Sequence, residues 1–475
     1  MTTGIFLTAA LLLSGGLFFN RNKVVNYSFL VIYLCLLWFF SISQLNGINR
    51  VQHDFFTPDA LGVLLLLTIS VVSIPALWHG YKYMITHDET LKSRGLFFAA
   101  MIMLISACSV AYIANHIAVI WIFTEITTLS ASALIYHHRN IRALEGVWKY
   151  VFLCAISITF IYIGILFLSL AVKDAGVDDL SFDSLYANAS RLNPFWLKFA
   201  FLFIFAGFTA KLGLVPMYTA GIDAKDKAPA PAGALLASVL MNVGFVGIYR
   251  LYAVLARTPL WSWAGTVMIV AAMLSVFVAA VYMTRIKNLK RLFAYSGIEH
   301  MGLVVLGLAA GGIGIYAAIL HIVLHSLVKP SLFFQFSQIY RVYQSKSIYD
   351  TGNYLKYNKS GAFLVLLGFF SAIAMPPSGL FVSEFMIFQS MFEAHRILVL
   401  TVVVLLLTLI IWGFGSNIFK LLFIPPVRID EKQIPRISPW ESFPQYLLLA
   451  LAVYLAYAPP ALLVTLIRDA AKLIS

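Results

Sequence analysis

Residues Phe205–Arg250 read FAGFTAKLGLVPMYTAGIDAKDKAPAPAGALLASVLMNVGFVGIYR. Lys211 stands inside an apolar run, and Pro216 follows five residues later. Next comes a stretch of alternating charge, Asp223-Ala224-Lys225-Asp226-Lys227, which reads as a loop. Pro229 and Pro231 then open a second long apolar helix. Placing an ammonium in hydrocarbon costs roughly 2.5–3.5 kcal/mol on insertion scales. A helix broken at membrane depth is tolerated only where it faces protein or a watery cavity. Together the buried cation and the adjacent break predict a polar pathway inside a membrane protein.

The rest of the chain agrees with that reading. It has 475 residues, of which 61% are hydrophobic and 11% charged, and its mean hydropathy is +0.89. Soluble domains carry about 25% charged residues. The composition defines an all-α, polytopic membrane protein of about 14 spans, with little chain left over for a soluble domain. The net charge of +13 sits in short loops between apolar segments. That is the pattern of topology control, so no nucleic-acid partner is expected. Cys35, Cys108 and Cys154 are scattered through apolar runs, too few for an iron–sulfur cluster, which usually takes four. Electron carriers would have to sit on other chains.

The expected spans are about 4–20, 24–43, 59–81, 95–113, 114–136, 148–171, 195–219, 230–256, 260–284, 294–311, 313–340, 361–394, 397–424 and 443–467. The first run has no basic residues before it and reads as a retained helix, not a cleaved leader. Most Lys and Arg fall in the loops after odd-numbered helices. The positive-inside rule then puts those loops in the cytoplasm and both termini outside it. The twelfth span is interrupted by Pro376, Pro377 and Gly379, with Glu384 just beyond. Five spans separate it from the break beside Lys211. An odd offset means opposite orientation, as in inverted-repeat transporters whose broken helices mark the site.

Several further polar residues lie at membrane depth. Glu125 is central in WIFTEITTLSAS; it is either a structural carboxylate paired with a neighbouring helix or a proton site. Burial drives a carboxylate and an ammonium alike toward their neutral forms, so Glu125 and Lys211 can exchange a proton when a nearby charge moves. His321, His325 and Lys329 recur at i, i+4 and i+8 and share one helix face. They read as a proton relay, as structural hydrogen bonding, or, for the two histidines, as metal ligands. No HExxH and no nearby carboxylate completes a metal site. Glu299-His300 is a headgroup-level pair or part of the same polar line. Glu145 near Lys149 is a surface ion pair on its residues alone.

These blocks resemble the antiporter-like, proton-conducting subunits of respiratory complex I and related complexes. The resemblance runs from about Gly95 to Ile424. It rests on the Glu125 helix, TAKLGLVPM at 209–217, APAPAGALLASVL at 228–240, LKRLFAYSGIEHMGLV at 289–304, the His321/His325 block and SGLFVSEFMI at 378–387. IEHMG, APAP and the HxxxHSLxKP block resemble the hydrogenase branch, in particular its hydrogenase-4 component F members.

The resemblance implies 14 helices in four parts: residues 1–94, five-helix conducting units at 95–256 and 257–424, and a C-terminal part at 425–475. It implies that Glu125 and Lys211 form the input pair, that His321, His325 and Lys329 lie along the axis, and that Glu384 lies toward the exit. Glu145 and Asp223 match family positions. Asn242 stands where complex I members carry a lysine, which shifts weight to the histidines.

The function expected is proton or cation translocation in a redox-driven complex of the [NiFe]-hydrogenase type, in a bacterial or archaeal cytoplasmic membrane. The alternatives are a stand-alone cation/proton antiporter subunit or a membrane module for inorganic-carbon uptake. No cofactor is expected in this chain. Iron–sulfur clusters and a Ni–Fe centre would belong to partners, namely other membrane subunits and a peripheral cytoplasmic redox arm.

Overall fold

A computed structural model describes residues 2–51, 55–426, 429, 431 and 434–474. Among these the chain is helical, with isolated bridges and no strand. The helices are α1 (Thr3–Phe19), α2 (Lys23–Leu45), α3 (Ala60–Thr86), α4 (Leu91–Ile113), α5 (Ile117–Ile135), α6 (Ile141–Asp174), α7 (Phe182–Asn188), α8 (Pro194–Leu212), α9 (Thr219–Lys227), α10 (Ala230–Leu236), α11 (Val239–Leu255), α12 (Trp261–Arg285), α13 (Leu289–Ala310), α14 (Ile313–Tyr343), α15 (Tyr354–Tyr357), α16 (Lys359–Ala372), α17 (Gly379–Glu393), α18 (Ile397–Phe423), α19 (Phe443–Tyr457) and α20 (Ala461–Ala471). Every expected span coincides with a helix or a broken pair.

Among the described residues, eleven helical runs are long and apolar enough to cross a membrane, with α10 and α11 taken as one run, or twelve when the pair α19 and α20, bent by 69°, also counts as one. The remaining two expected spans are short for physical reasons. The first is the 17-residue α1. The other is cut by Pro376-Pro377 into α16 and α17, of 14 and 15 residues. Large apolar side chains cover the outside: Leu398 is 78% exposed and Trp412 64%. An apolar surface that extensive suits lipid and not water. The protein is a multi-pass membrane protein.

Local chemistry sets the helix ends. Asp59, Asn140, Asn288, Asn358 and Ser378 accept from backbone N–H groups in the first turns of α3, α6, α13, α16 and α17, as N-caps do. α8 stops at Gly213, whose φ of +86° places it in the left-handed region, where glycine carries no steric penalty. Gly244 lets α11 approach α8 closely; a Cβ there would lie 2.5 Å from Leu212 N. Small residues at such contacts are how membrane helices pack.

Two expectations need correcting. The charged stretch 223–227 is not a loop but the end of the short helix α9. The span expected at 230–256 is not continuous, since α10 and α11 meet at a break at Ala237-Ser238. There the Ser238 hydroxyl bonds back to Ala234 O at 2.7 Å, and Tyr112 OH donates to Val239 O at 2.5 Å. Tyr112, from α4, thus adds a bond to the first carbonyl of α11 beside the break. Pro330 lies inside α14 without ending it. α14 is the hub of the fold, packed against α3, α10, α13, α16, α17, α19 and α20.

Candidate functional site

The site is built from α5, α6, α8 and α9 on one side and α13, α14 and α17 on the other. α10 and α11 run between them.

On the first side, Lys211 is 5% exposed at the last turn of α8. Its ammonium donates to Thr128 Oγ1 at 2.8 Å and to Tyr150 OH at 3.0 Å, and lies 5.2 Å from the centroid of the Tyr150 ring. Both hydroxyls are neutral, so the cation is solvated by protein but not neutralised. Thr128 is one turn beyond Glu125 on the same face of α5. Glu125 is half-buried, and among the described residues nothing hydrogen-bonds its Oε2. Among the described residues no ion pair joins Glu125 to Lys211; Thr128 and Tyr150 take up the ammonium instead.

On the second side, the common face of α14 points at α13, as the spacing of its ionisable residues predicts. His300 Nδ1 and His321 Nε2 are 3.1 Å apart, and His321 Nδ1 is 3.0 Å from Ser383 Oγ. The His325 ring centroid lies 5.3 Å from that of His300. Lys329 donates to Ser296 Oγ. Glu384, next to Ser383, and Glu299 are buried. Among the described residues, one oxygen of each and both nitrogens of His325 lack hydrogen-bond partners. His300, His321 and Ser383 thus form one hydrogen-bonded line across three helices, and Glu384 is the next residue of α17 after Ser383. His321 and His325 do not converge on a common point as metal ligands would, because His321 is taken up by His300 and Ser383. Asn242 is fully buried and donates to Ser326 Oγ at 3.0 Å.

Three other residues are placed differently. Glu145 makes an exposed i, i+4 pair with Lys149 at 2.5 Å; it joins neither side. Asp223 pairs with Arg291 and ties α9 to α13. Pro216, Pro376, Pro377 and Gly379 form the two breaks, beside Lys211 and Glu384 respectively.

Sequence reasoning missed Lys225. It is 3% exposed, and its Nζ donates to the thioether of Met241 at 3.4 Å, a weak acceptor. It lines a small cavity with Lys211 and Tyr150. The neighbouring Asp226 was also passed over. Its carboxylate meets Lys227 at 3.0 Å, Lys346 at 3.3 Å and Asn288 at 3.1 Å. Burial pushes the Asp226 carboxyl up, but the charges of Lys346, Lys290 and Lys227 outweigh it and hold it at about 2. Asp226, Lys227, Lys290 and Lys346 line an open cavity of about 1270 Å³. The group of Glu89, His137 and His138 stands apart from this line; there Glu89 is paired with His137 at 3.1 Å.

A membrane bundle with two broken helices, each beside an intramembrane ionisable residue, defines the class of antiporter-like membrane subunits. Residues 114–410 match the family described as NADH:quinone oxidoreductase/Mrp antiporter, transmembrane, and the chain belongs to it. Among named relatives it is 27% identical over 377 residues to the hydrogenase-4 component F homolog of Methylacidiphilum infernorum (isolate V4), covering 78% of each chain. It is 31% identical over 199 residues to formate hydrogenlyase subunit 3 of Escherichia coli (strain K12), covering 39% of this chain and 32% of that one. Similar folds occur in an archaeal membrane-bound sulfane sulfur reductase, with a TM-score of 0.86, 19% identity and coverage of 99% of this chain and 97% of that one. Respiratory complex I from Thermus thermophilus gives a TM-score of 0.83 at 17% identity, with both chains fully covered.

Proposed function

We propose that this chain is the proton- or cation-translocating membrane subunit of a redox-driven, energy-converting complex of the [NiFe]-hydrogenase type. The observation that carries the reading is the buried line His300–His321–Ser383. It ends beside Glu384, whose carboxylate has an unpartnered oxygen, and the cation Lys211 stands on the other side of α10 and α11. Protons step along such hydrogen bonds and onto groups that keep an unpartnered atom, as His300, His325 and Glu384 do among the described residues. Charge movement in a neighbouring subunit perturbs Glu125 and Lys211, and the displaced proton moves toward the histidines and leaves by Glu384. The chain holds no redox cofactor of its own. Iron–sulfur clusters and a Ni–Fe centre lie in partners, which comprise other membrane subunits and a peripheral cytoplasmic arm. Both termini lie outside the cytoplasm, in a bacterial or archaeal cytoplasmic membrane.

The test uses the complex purified through a tag on this chain, with its partner chains and their metals identified. It is reconstituted in liposomes holding a pH-sensitive dye and driven by a potassium diffusion potential. Lys211→Ala should assemble normally and lose proton movement. Proton movement at the parent rate in that variant refutes the reading.

A further inference from the structure

Among the described residues no hydrogen bond joins Lys211 to the histidines of α13 and α14. Between them are Lys225, from α9, and Met241, from α11. Lys225 shares with Lys211 and Tyr150 a cavity of about 10 Å³, room for about one water. A single water is enough to bridge two ammonium groups that are not in contact. Lys225 is 3% exposed, yet among its described contacts no oxygen takes up its ammonium; its acceptor is the Met241 sulfur. A buried ammonium without an oxygen partner is costly. It persists where the charge is transient or supplied from a neighbour.

Met241 blocks the way onward. Its Sδ and Cε lie 3.9 and 3.8 Å from the point where a side chain at Gly297 would begin, and His325 Nε2 lies 4.0 Å from the same point. The thioether and the imidazole therefore border one small space. On its other flank the Met241 methyl lies 3.2 Å from the corresponding point at Gly213, over the break after α8. Met241 thus touches Lys225 and faces His325, and it is an unbranched, apolar side chain with three rotatable bonds that refills gaps readily. The residues after Lys225, Asp226 and Lys227, line the 1270 Å³ open cavity.

We infer that Lys225 is the proton carrier at the join between the two sides, and that Met241 is a removable apolar plug between Lys225 and His325. Lys225 accepts a proton as a neutral amine, from Lys211 through the shared cavity, and becomes an ammonium. With the Met241 side chain swung aside, water enters beside Gly297, and the proton passes from the ammonium to a free nitrogen of His325, restoring the amine. With Met241 in place the gap is dry and the sides are disconnected. Asn242, the neighbour of Met241, is held by Ser326 and has no titratable group to offer.

This inference rests on the proposed function, and the test separates the two. In the same reconstituted complex, Lys225→Met, which keeps the length and apolar stem, should lower proton movement at least tenfold with assembly unchanged, and Lys225→Arg should retain more of it than Lys225→Met. Met241→Ala keeps every charge and should raise conduction at zero redox turnover several-fold, whereas Met241→Leu should resemble the parent. If Lys225→Met does not assemble, Met241→Ala against Met241→Leu decides. Lys225→Met conducting like the parent while Lys211→Met does not, or Met241→Ala conducting no faster than Met241→Leu, overturns this inference and leaves the proposed function standing. Parent-level conduction in Lys211→Met as well overturns both.

Discussion

Lys211 is held by two hydroxyls, and each can be removed without disturbing the packing. Tyr150→Phe deletes the acceptor at 3.0 Å and keeps the ring that lies 5.2 Å from the ammonium. Thr128→Val deletes the acceptor at 2.8 Å and keeps a branched side chain of the same size. A hydrogen bond to a charged group is worth about 1.5–3 kcal/mol, and about 1.4 kcal/mol is a factor of ten in an equilibrium. Each single substitution should therefore weaken the hold on the Lys211 side chain by about 1.5–3 kcal/mol, a factor of roughly ten to a hundred in any equilibrium that needs it in this place. Conduction should fall about tenfold. The double variant should not simply multiply the two effects, because both hydroxyls serve one ammonium. The assay is dye-reported proton movement in liposomes, with assembly checked by partner-chain recovery. A double variant that conducts within twofold of the parent would refute the view that Lys211 carries charge on the pathway.

Two further predictions concern the frame. Arg250 is 2% exposed and binds both oxygens of Asp59, at 3.0 and 3.2 Å, with Tyr112 O at 2.7 Å and Ala114 O as well. Arg250→Met leaves the Asp59 carboxylate without its cation, held among the described residues only by the Gly62 N–H, and takes a donor from the Tyr112 and Ala114 carbonyls at the end of α4. It should cost about 3 kcal/mol or more, seen as lost assembly at native expression levels; an assembled complex of unchanged thermal stability would contradict this. Asp226 is held at about 2, below its ordinary 3.8, so its stabilising contribution is fully present above about pH 4 and is lost as the pH falls toward 2. At about 1.4 kcal/mol per pKa unit this is about 2 kcal/mol. Asp226→Asn should lower stability in detergent by that amount at pH 7, and the gap to the parent should close between pH 4 and pH 2. A gap independent of pH would count against it.

The fold was legible because hydrocarbon leaves the chain few choices: long apolar runs must be helices, and prolines and glycines mark where they end. The α14 face was legible for the same reason, since an i, i+4, i+8 spacing survives any packing. Lys225 was not. Asp223-Ala-Lys-Asp-Lys looks solvated from composition, and three of its four charges do reach ion pairs or the open cavity. Only packing against α10 and α13 buries the remaining one. A signal was present in the small residues Ala220, Gly221 and Ala224, which give α9 a face that other helices can approach closely. The break between α10 and α11 had no such signal. It falls at Ala237-Ser238, where the sequence has neither proline nor glycine.

Two kinds of buried polar group can be told apart by how completely they are satisfied. Arg250 uses its guanidinium on four acceptors, and a group so fully occupied cannot exchange a proton without losing the bonds that hold the helix ends together. His325, Glu299 and Glu384 keep unpartnered atoms among the described residues, and Lys225 has only a sulfur. Leaving a buried polar atom unpaired costs about 1–3 kcal/mol, and several such costs close together destabilise a fold appreciably. Their concentration along α9, α13, α14 and α17, beside well-satisfied anchors elsewhere, is what a conduit requires. A carrier must be able to gain a bond at each step, and a site with nothing left to gain has no reason to pass a proton on.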